Sequence, residues 1–261
     1  MSDSDHPLPE LDSRFERTET LLVGQTGTLY RAREVSTDRS GVLKVLHESI
    51  TDSASERMRL SRDLRKLSEL RQESLHVPID SGQIGERIWV FRTWVEGRSL
   101  SDTLQEGGAL ELSRVKAITA KLANALEALH RAGLIHRDLQ PAHILLSENN
   151  GVHLIDACIA PPISASDGRP RLGTIPYISP EAASGRLVSS RADLYALGAV
   201  LVEMLTGEKA FGADSLESLQ ALRETPFDVS SFDGWDESMR GLVLGCSALI
   251  LQNGLFLRAE S

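Results

Sequence analysis

The sequence predicts an α+β protein in two unequal parts, a small antiparallel β lobe carrying one helix and a larger, mostly helical lobe. Three observations carry that prediction. Residues 19–47 hold three β-rich runs separated by turn residues. Apolar residues then recur at helical spacing, once in the first half of the chain and repeatedly in the second. Between Ile144 and Ile155, Asn150-Gly151 sits between two short apolar runs, the strongest short hairpin signal. The organisation read from these signals is an acidic disordered tail over 1–14, a first lobe over 15–97 and a second over 98–261.

The first lobe opens with TLLVG, TLYRAREV and GVLKVLH, broken at Gly24 to Gly27 and at Asp38 to Gly41, which reads as an antiparallel meander. From Ser55 to Leu70, apolar Met58, Leu60, Leu64, Leu67 and Leu70 recur among charges and predict one amphipathic helix. Pro78 and Gly82 close that region, and strands follow around Ile79 and in IWVFRTWV. Gly97, Gly107 and Gly108 mark a break between the lobes.

In the second lobe, Val115, Ile118, Leu122, Leu126 and Leu129 form one helical stripe, with Gly133 as its C-cap. The hairpin at Asn150-Gly151 comes next. Antiparallel pairing about residues 149–151 sets the start of its first strand beside the end of its second, so His143 approaches Asp156, with Asp138 just upstream. Three polar residues thus converge at one end of a hairpin. RADLYALGAVLVEMLTG is apolar nearly all round and predicts a central buried helix, with Asp193 an odd carboxylate at its start and Gly207 at its end.

Composition excludes several functions. Of 261 residues, 41% are hydrophobic and 25% charged, which is ordinary globular usage. With 28 Lys plus Arg against 37 Asp plus Glu, the net charge of -9 repels phosphate backbones and anionic lipid, so neither nucleic acid nor membrane is the expected partner. The uncharged run 241–257 contains Gln252 and Asn253 and reads as a buried or amphipathic helix. The N-terminus is acidic, without a signal-peptide core. Cys158 and Cys246 match neither a disulfide framework nor a zinc site, which fits a cytoplasmic protein.

Taken in order, GQTGTLY, VLKVL, HRDLQPAHILL, LIDAC and GTIPYISPE resemble the Gly-rich loop, strand-three lysine, catalytic loop, metal-binding Asp and substrate-docking loop of the eukaryotic-type Ser/Thr protein kinase superfamily. The resemblance runs from about Thr18 to Phe211 and implies a bilobal kinase-like fold that uses ATP with Mg²⁺. It places Lys44 on the nucleotide's α- and β-phosphates and Gly24 and Gly27 in the phosphate loop, with Leu22 where the first glycine is usual. Thr93 and Trp94 fall on the adenine side. Asp138 matches the residue that accepts the substrate hydroxyl's proton, and Asp156 the metal carboxylate. Asp63 falls where the family has a glutamate that orients the lysine. Its shorter reach leaves Glu56 and Glu69 as alternatives. Asp193 resembles the buried Asp that anchors the catalytic loop, and Ser164 and Ser166 are candidate phosphorylation sites facing Arg137.

Several residues depart from that pattern. Gln140 replaces a lysine that would neutralise developing negative charge, which implies a slower reaction. His143 replaces a metal-binding Asn, and imidazole suits Mn²⁺ or Zn²⁺ better than Mg²⁺. Ala157 and Cys158 replace the usual Phe and Gly, so a gap is expected beside Ala157. Arg92 falls at or near the position gating the adenine pocket, and either pairs with Asp63 or Asp156 or faces outward. Thr174, in the docking loop, favours Ser/Thr over Tyr as acceptor. Beyond Phe211 the likeness weakens, the arginine that should pair with Glu181 is missing in register, and Arg258 is a poor substitute, so a divergent or truncated C-terminus is expected. Two functions lead: transfer of the γ-phosphate to Ser or Thr of a protein at reduced rate, or a pseudokinase acting as a scaffold or regulator of a partner protein. A small-molecule kinase of the same superfamily is the third, and the GTIPYISPE docking loop argues against it.

Overall fold

The computed structural model describes residues 11, 13–50, 53–160, 175–183 and 185–211. Five strands form the first sheet: β1 (Phe15–Val23), β2 (Gly27–Glu34), β3 (Arg39–Leu46), β4 (Asp80–Ile84) and β5 (Arg87–Thr93). They lie in the order β1-β2-β3-β5-β4, every neighbour antiparallel. Between β3 and β4 the chain forms helix α1 (Ala54–Glu69), capped by Ser53, whose hydroxyl accepts from the Glu56 amide at 3.2 Å. Leu60, Leu64 and Leu67 of the expected stripe are buried, whereas Met58 is exposed.

Strand periodicity splits the sheet into two faces. One carries Tyr30, Leu43, Val45, Trp89 and Phe91, which pack with Leu11 and Phe15. The other carries Leu46, Ile88 and Val90, which join the α1 leucines in a core continuous with the second lobe. Lys44 and Arg92 belong to this second face by the same alternation, each two residues from Leu46 or Val90. Both polar groups are therefore sent inward by register.

The second lobe contains α2 (Leu100–Gly107), α3 (Leu112–Arg131), the short α4 (Pro180–Ala183) and α5 (Ser190–Thr206). A small sheet joins β6 (Arg98–Ser99), β7 (Ile144–Leu146) and β8 (Val152–Leu154). Helix α5 buries nearly all of its circumference and ends at Gly207 with φ 77°, as its uniform apolarity and its glycine predict. The hairpin forms at the expected place, with Ile144 opposite Leu154 and Asn150 at φ 60° in the turn. Helix α2 was not expected. Gly107 and Gly108 read as a lobe break, but Gly108, at φ 67°, only ends a helix whose first turn Ser99 caps.

The stretch linking α1 to β4 ties the lobes together. The Leu154 amide donates to the Ser74 carbonyl at 2.8 Å, and the His76 amide to the Leu154 carbonyl at 2.9 Å. Anchoring this connector on β8 fixes the distance between the first sheet and the loop that follows β8, where Asp156 stands. Among the described residues, no helix is long and apolar enough to cross a membrane. Of the stretch read as a disordered tail, Leu11 is instead buried in the first core and Arg14 pairs with Glu34 at 3.0 Å, because an apolar side chain and a cation beside the sheet find partners there. Residues 1–10 and 12, the segment with Ser164, Ser166 and Thr174, the run 241–257, Cys246 and Arg258 lie outside the described residues.

Candidate functional site

Lys44 leaves the middle of β3 and is buried, with apolar neighbours on both sides. Its ammonium donates to Asp156 Oδ2. From the adjacent strand, Arg92 Nη1 donates to Asp156 Oδ1 at 2.5 Å. The three side chains are only 4%, 8% and 6% exposed for Lys44, Arg92 and Asp156. Burial alone would raise the Asp156 pKa, but Arg92 and Lys44 outweigh it and hold the carboxyl well below the usual carboxylate range. Burial lowers the Lys44 pKa, and Asp156 opposes that shift. Of the alternatives for Arg92, the structure takes Asp156.

The loop between α3 and β7 is held by Asp193 at the first turn of α5. Asp193 Oδ2 accepts the His136 amide at 2.8 Å and His130 Nε2 at 2.8 Å, and Oδ1 accepts the Arg137 amide at 3.0 Å. These bonds hold Arg137 at φ 73°. His136 is fully buried, donating Nε2–H to the Ile155 carbonyl at 3.0 Å and accepting the Asp138 amide on Nδ1 at 3.3 Å. Asp156 and Cys158 also have positive φ, 62° and 68°, and the Cys158 amide donates to the His136 carbonyl at 3.2 Å. Non-glycine residues in this region cost roughly 1–3 kcal/mol each, so three within one cluster mark strain maintained by the surrounding bonds.

Asp138 is buried beside this pair, and its charge acts on Lys44. Gln140 Nε2 donates to Asp138 Oδ1 at 2.9 Å. The neutral amide orients the carboxylate without supplying the charge a lysine would bring. His143 Nδ1 donates to the Asp138 carbonyl oxygen at 2.7 Å, and its Nε2 lies 3.8 Å from Asp156 Oδ2. The hairpin thus brings Asp138, His143 and Asp156 together as its geometry predicts.

Asp63 is a correction. It was expected to orient Lys44, but it accepts Arg59 Nη1 at 3.2 Å and Arg62 Nη2 at 3.1 Å instead. The side chain is one methylene shorter than glutamate, and Arg59, one helical turn away on the same helix, takes it. That i,i+4 pairing was readable from the sequence. Glu56 does not replace it, since it pairs with Arg59 at 2.9 Å. Lys44 turns to Asp156.

In the turn between β1 and β2, the Gly24 amide donates to the Gly27 carbonyl at 3.0 Å, and His47 Nε2 lies 2.9 Å from the Gly24 carbonyl oxygen. A Cβ on Gly27 would lie 2.2 Å from the Val45 carbonyl oxygen, so this glycine is required by the contact of β2 with β3. Gly24 has ordinary room. Thr93 is exposed, and its carbonyl oxygen lies 3.0 Å from His76 Nε2. The Trp94 ring lies 4.5 Å from the Arg31 guanidinium carbon, and its Nε1 is buried with no hydrogen-bond partner among the described residues. The gap expected beside Ala157 is closed. Only a cavity of about 10 Å³ remains, lined by Ala157, Arg92, Leu64, Leu67 and Ile159 among others, room for one water at most. Glu181 Oε2 is buried without a hydrogen-bond partner among the described residues, in keeping with the arginine missing from the sequence.

The donor types at Asp156 and His143, one carboxylate and one imidazole nitrogen, belong to a divalent-metal site. As arranged, they do not fit one, because both Asp156 oxygens already accept from cations. Among the described residues no group of three metal-ligating side chains is assembled.

Sequence reasoning also missed His76, which no motif marks. It lines the same small cavity, and burial, with Arg92 adding to it, pushes its pKa down to about 4 from 6.5. The unfolded chain therefore takes up this proton near pH 6.5 and the folded one only near pH 4. The contribution to stability is complete above about pH 6.5 and is lost as pH falls towards 4. His76→Gln is expected to flatten the dependence of urea stability on pH across that window. Equal slopes in both proteins would remove His76 as the cause.

A five-stranded sheet with a buried lysine on β3, set against a helical lobe whose carboxylates converge on that lysine, defines a bilobal phosphotransferase fold. The model of the protein kinase domain matches residues 15–246, and the chain belongs to the protein kinase family. It is 33% identical over 232 residues to the serine/threonine-protein kinase PknB of Mycobacterium leprae, covering 85% of this chain and 37% of that protein. Against PknB of Mycobacterium tuberculosis H37Rv the identity is 31% over 262 residues, with 96% and 42% covered. Against the serine/threonine-protein kinase PknL of the same strain it is 32% over 212 residues, with 80% and 53% covered. The chain spans about half the length of these relatives or less.

Proposed function

We propose that this chain binds ATP between its lobes and transfers the γ-phosphate to a Ser or Thr hydroxyl of a protein, at a rate held down by its own site residues. The observation that carries the reading is the convergence of Lys44, Asp138 and Asp156 from three separate elements into one buried cluster. The lobe spanning 15–97 supplies the nucleotide contacts: Lys44 to the phosphates, Gly24 and Gly27 over them, Thr93 and Trp94 on the base side. The lobe from 98 onward supplies Asp138, which accepts the proton as the substrate oxygen bonds to the γ-phosphorus and the bond to the β-bridging oxygen breaks. ADP leaves. Gln140 keeps Asp138 oriented but offers no positive charge to the transferring group, which supports a slow reaction. The family generally works with ATP and Mg²⁺, and an imidazole such as that of His143 also suits Mn²⁺, but with both Asp156 oxygens on Lys44 and Arg92 the site as arranged holds neither. Cysteine usage supports the cytoplasm, and the net charge of -9 supports a protein rather than a nucleic acid or membrane as partner.

A second reading, a pseudokinase that regulates a partner protein, is favoured by the engagement of both Asp156 oxygens. Thermal shift with ATP, followed by transfer of radiolabelled phosphate to Ser/Thr-containing protein, separates the two. ATP is expected to raise the melting temperature of the wild type, with about tenfold weaker binding in Lys44→Met and transfer above the level of an Asp138 variant. A shift without transfer supports the regulator. No shift in folded protein ends the nucleotide reading.

A further inference from the structure

Arg92 and Lys44 sit on neighbouring strands and face the same side, at diagonal positions of the β3–β5 pair, since Val42 faces Arg92 and Lys44 faces Val90. Two buried cations so placed repel, and burial makes each costly unless an anion answers it. Asp156 answers both, taking Lys44 on Oδ2 and Arg92 on Oδ1. Arg92 also lines the small cavity beside Ala157, where a larger residue would leave no room for an arginine stem. The two departures from the family pattern at 92 and 157 are thus one packing solution.

The geometry points to Arg92 as a built-in competitor of divalent metal. It occupies Asp156 Oδ1 while Lys44 holds Oδ2, so neither oxygen is open to a metal ion until Arg92 leaves its own, and Arg92 decides whether nucleotide binding depends on metal. The inference rests on reading Asp156 as the metal carboxylate. It differs from that reading in consequence: the wild type binds ATP without help from metal, and metal dependence is a property released by removing the Arg92 charge.

Arg92→Met keeps a stem of similar length in the cavity and removes the charge. The wild type is expected to show the same ATP-induced thermal shift with Mg²⁺, with Mn²⁺ and with chelator. Arg92→Met is expected to bind ATP at least tenfold more tightly with metal than without. In electron paramagnetic resonance titrations without nucleotide, Mn²⁺ is expected to bind Arg92→Met at one site, to bind the wild type at least tenfold more weakly, and to lose that site in Arg92→Met/Asp156→Asn. Equal metal dependence in the wild type and Arg92→Met overturns the inference and leaves the nucleotide site standing. If neither protein binds ATP but Mn²⁺ distinguishes them as expected, the competitor stands and the nucleotide reading falls. If folded Arg92→Met binds neither ATP with metal nor Mn²⁺ alone, the competitor is overturned. Should Arg92→Met not fold, Arg92→Lys carries the test. Its ammonium has a shorter reach and a single point of contact, so metal affinity is expected between those of the wild type and the charge-free site. Affinity equal to the wild type's overturns the inference.

Discussion

Asp138→Asn is expected to lower phosphoryl transfer by about 10²–10⁴, the usual contribution of a positioned acid or base, while ATP-induced stabilisation is expected to stay within about twofold of the wild type. The asparagine has the same shape, and its carbonyl oxygen can still accept from Gln140 Nε2, which bonds Asp138 Oδ1 at 2.9 Å. Orientation therefore survives, and the capacity to take the substrate's proton does not. The comparison is made with radiolabelled ATP and a Ser/Thr-containing protein, following transfer and thermal shift on the same preparations. Undiminished transfer would exclude Asp138 as the proton acceptor. A loss of transfer accompanied by an equal loss of ATP binding would assign Asp138 to binding rather than to the chemical step.

The second large effect is on stability. Asp193 is 1% exposed and accepts the amides of His136 and Arg137 together with His130 Nε2. Asp193→Ala leaves these buried donors unpaired and releases Arg137 from its positive φ of 73°. The expected cost is about 3–5 kcal/mol, the range for breaking a buried charged network by removing one partner. That corresponds to a fall in melting temperature on the order of 10 °C. Urea unfolding should show a lower midpoint with an unchanged slope. A loss below about 1 kcal/mol would mean that the loop is held by its other bonds, the His136 Nε2 contact with the Ile155 carbonyl chief among them.

Both predictions concern residues that ordered local patterns make readable. The alternation in VLKVL sends Lys44 to one face of its strand, and the Asn150-Gly151 turn sets Asp138, His143 and Asp156 at one end of a hairpin. The unbroken apolarity around Asp193 puts that carboxylate in a core, where it must find donors. Helix α2 was hidden because Gly107 and Gly108 serve equally as a loop signal and as a helix end. Which of those they do depends on Leu100 and Leu104 having a core to enter.

The partners of the charged groups were legible only in part. Asp63 matches its position in the family's motif, yet the side chain binds Arg59 and Arg62, one a helical turn away and the other next to it. The gap expected at Ala157 came from reading that residue alone, and the structure closes it with residues from other elements, Arg92 among them. His76 carried no signal, because its environment comes from a connector pinned to β8 and from β5 beside it.

The amino-acid order by itself determined the two-lobed α+β organisation, the main strands and helices, and the inward placing of Lys44 and Asp193, because period, turn chemistry and capping act over a few neighbouring residues. Only the tertiary structure decided which anion each buried cation meets. Lys44, Arg92 and Asp156 come from three segments, and a buried charge takes the partner whose geometry and reach lower its desolvation cost most, which no local pattern encodes.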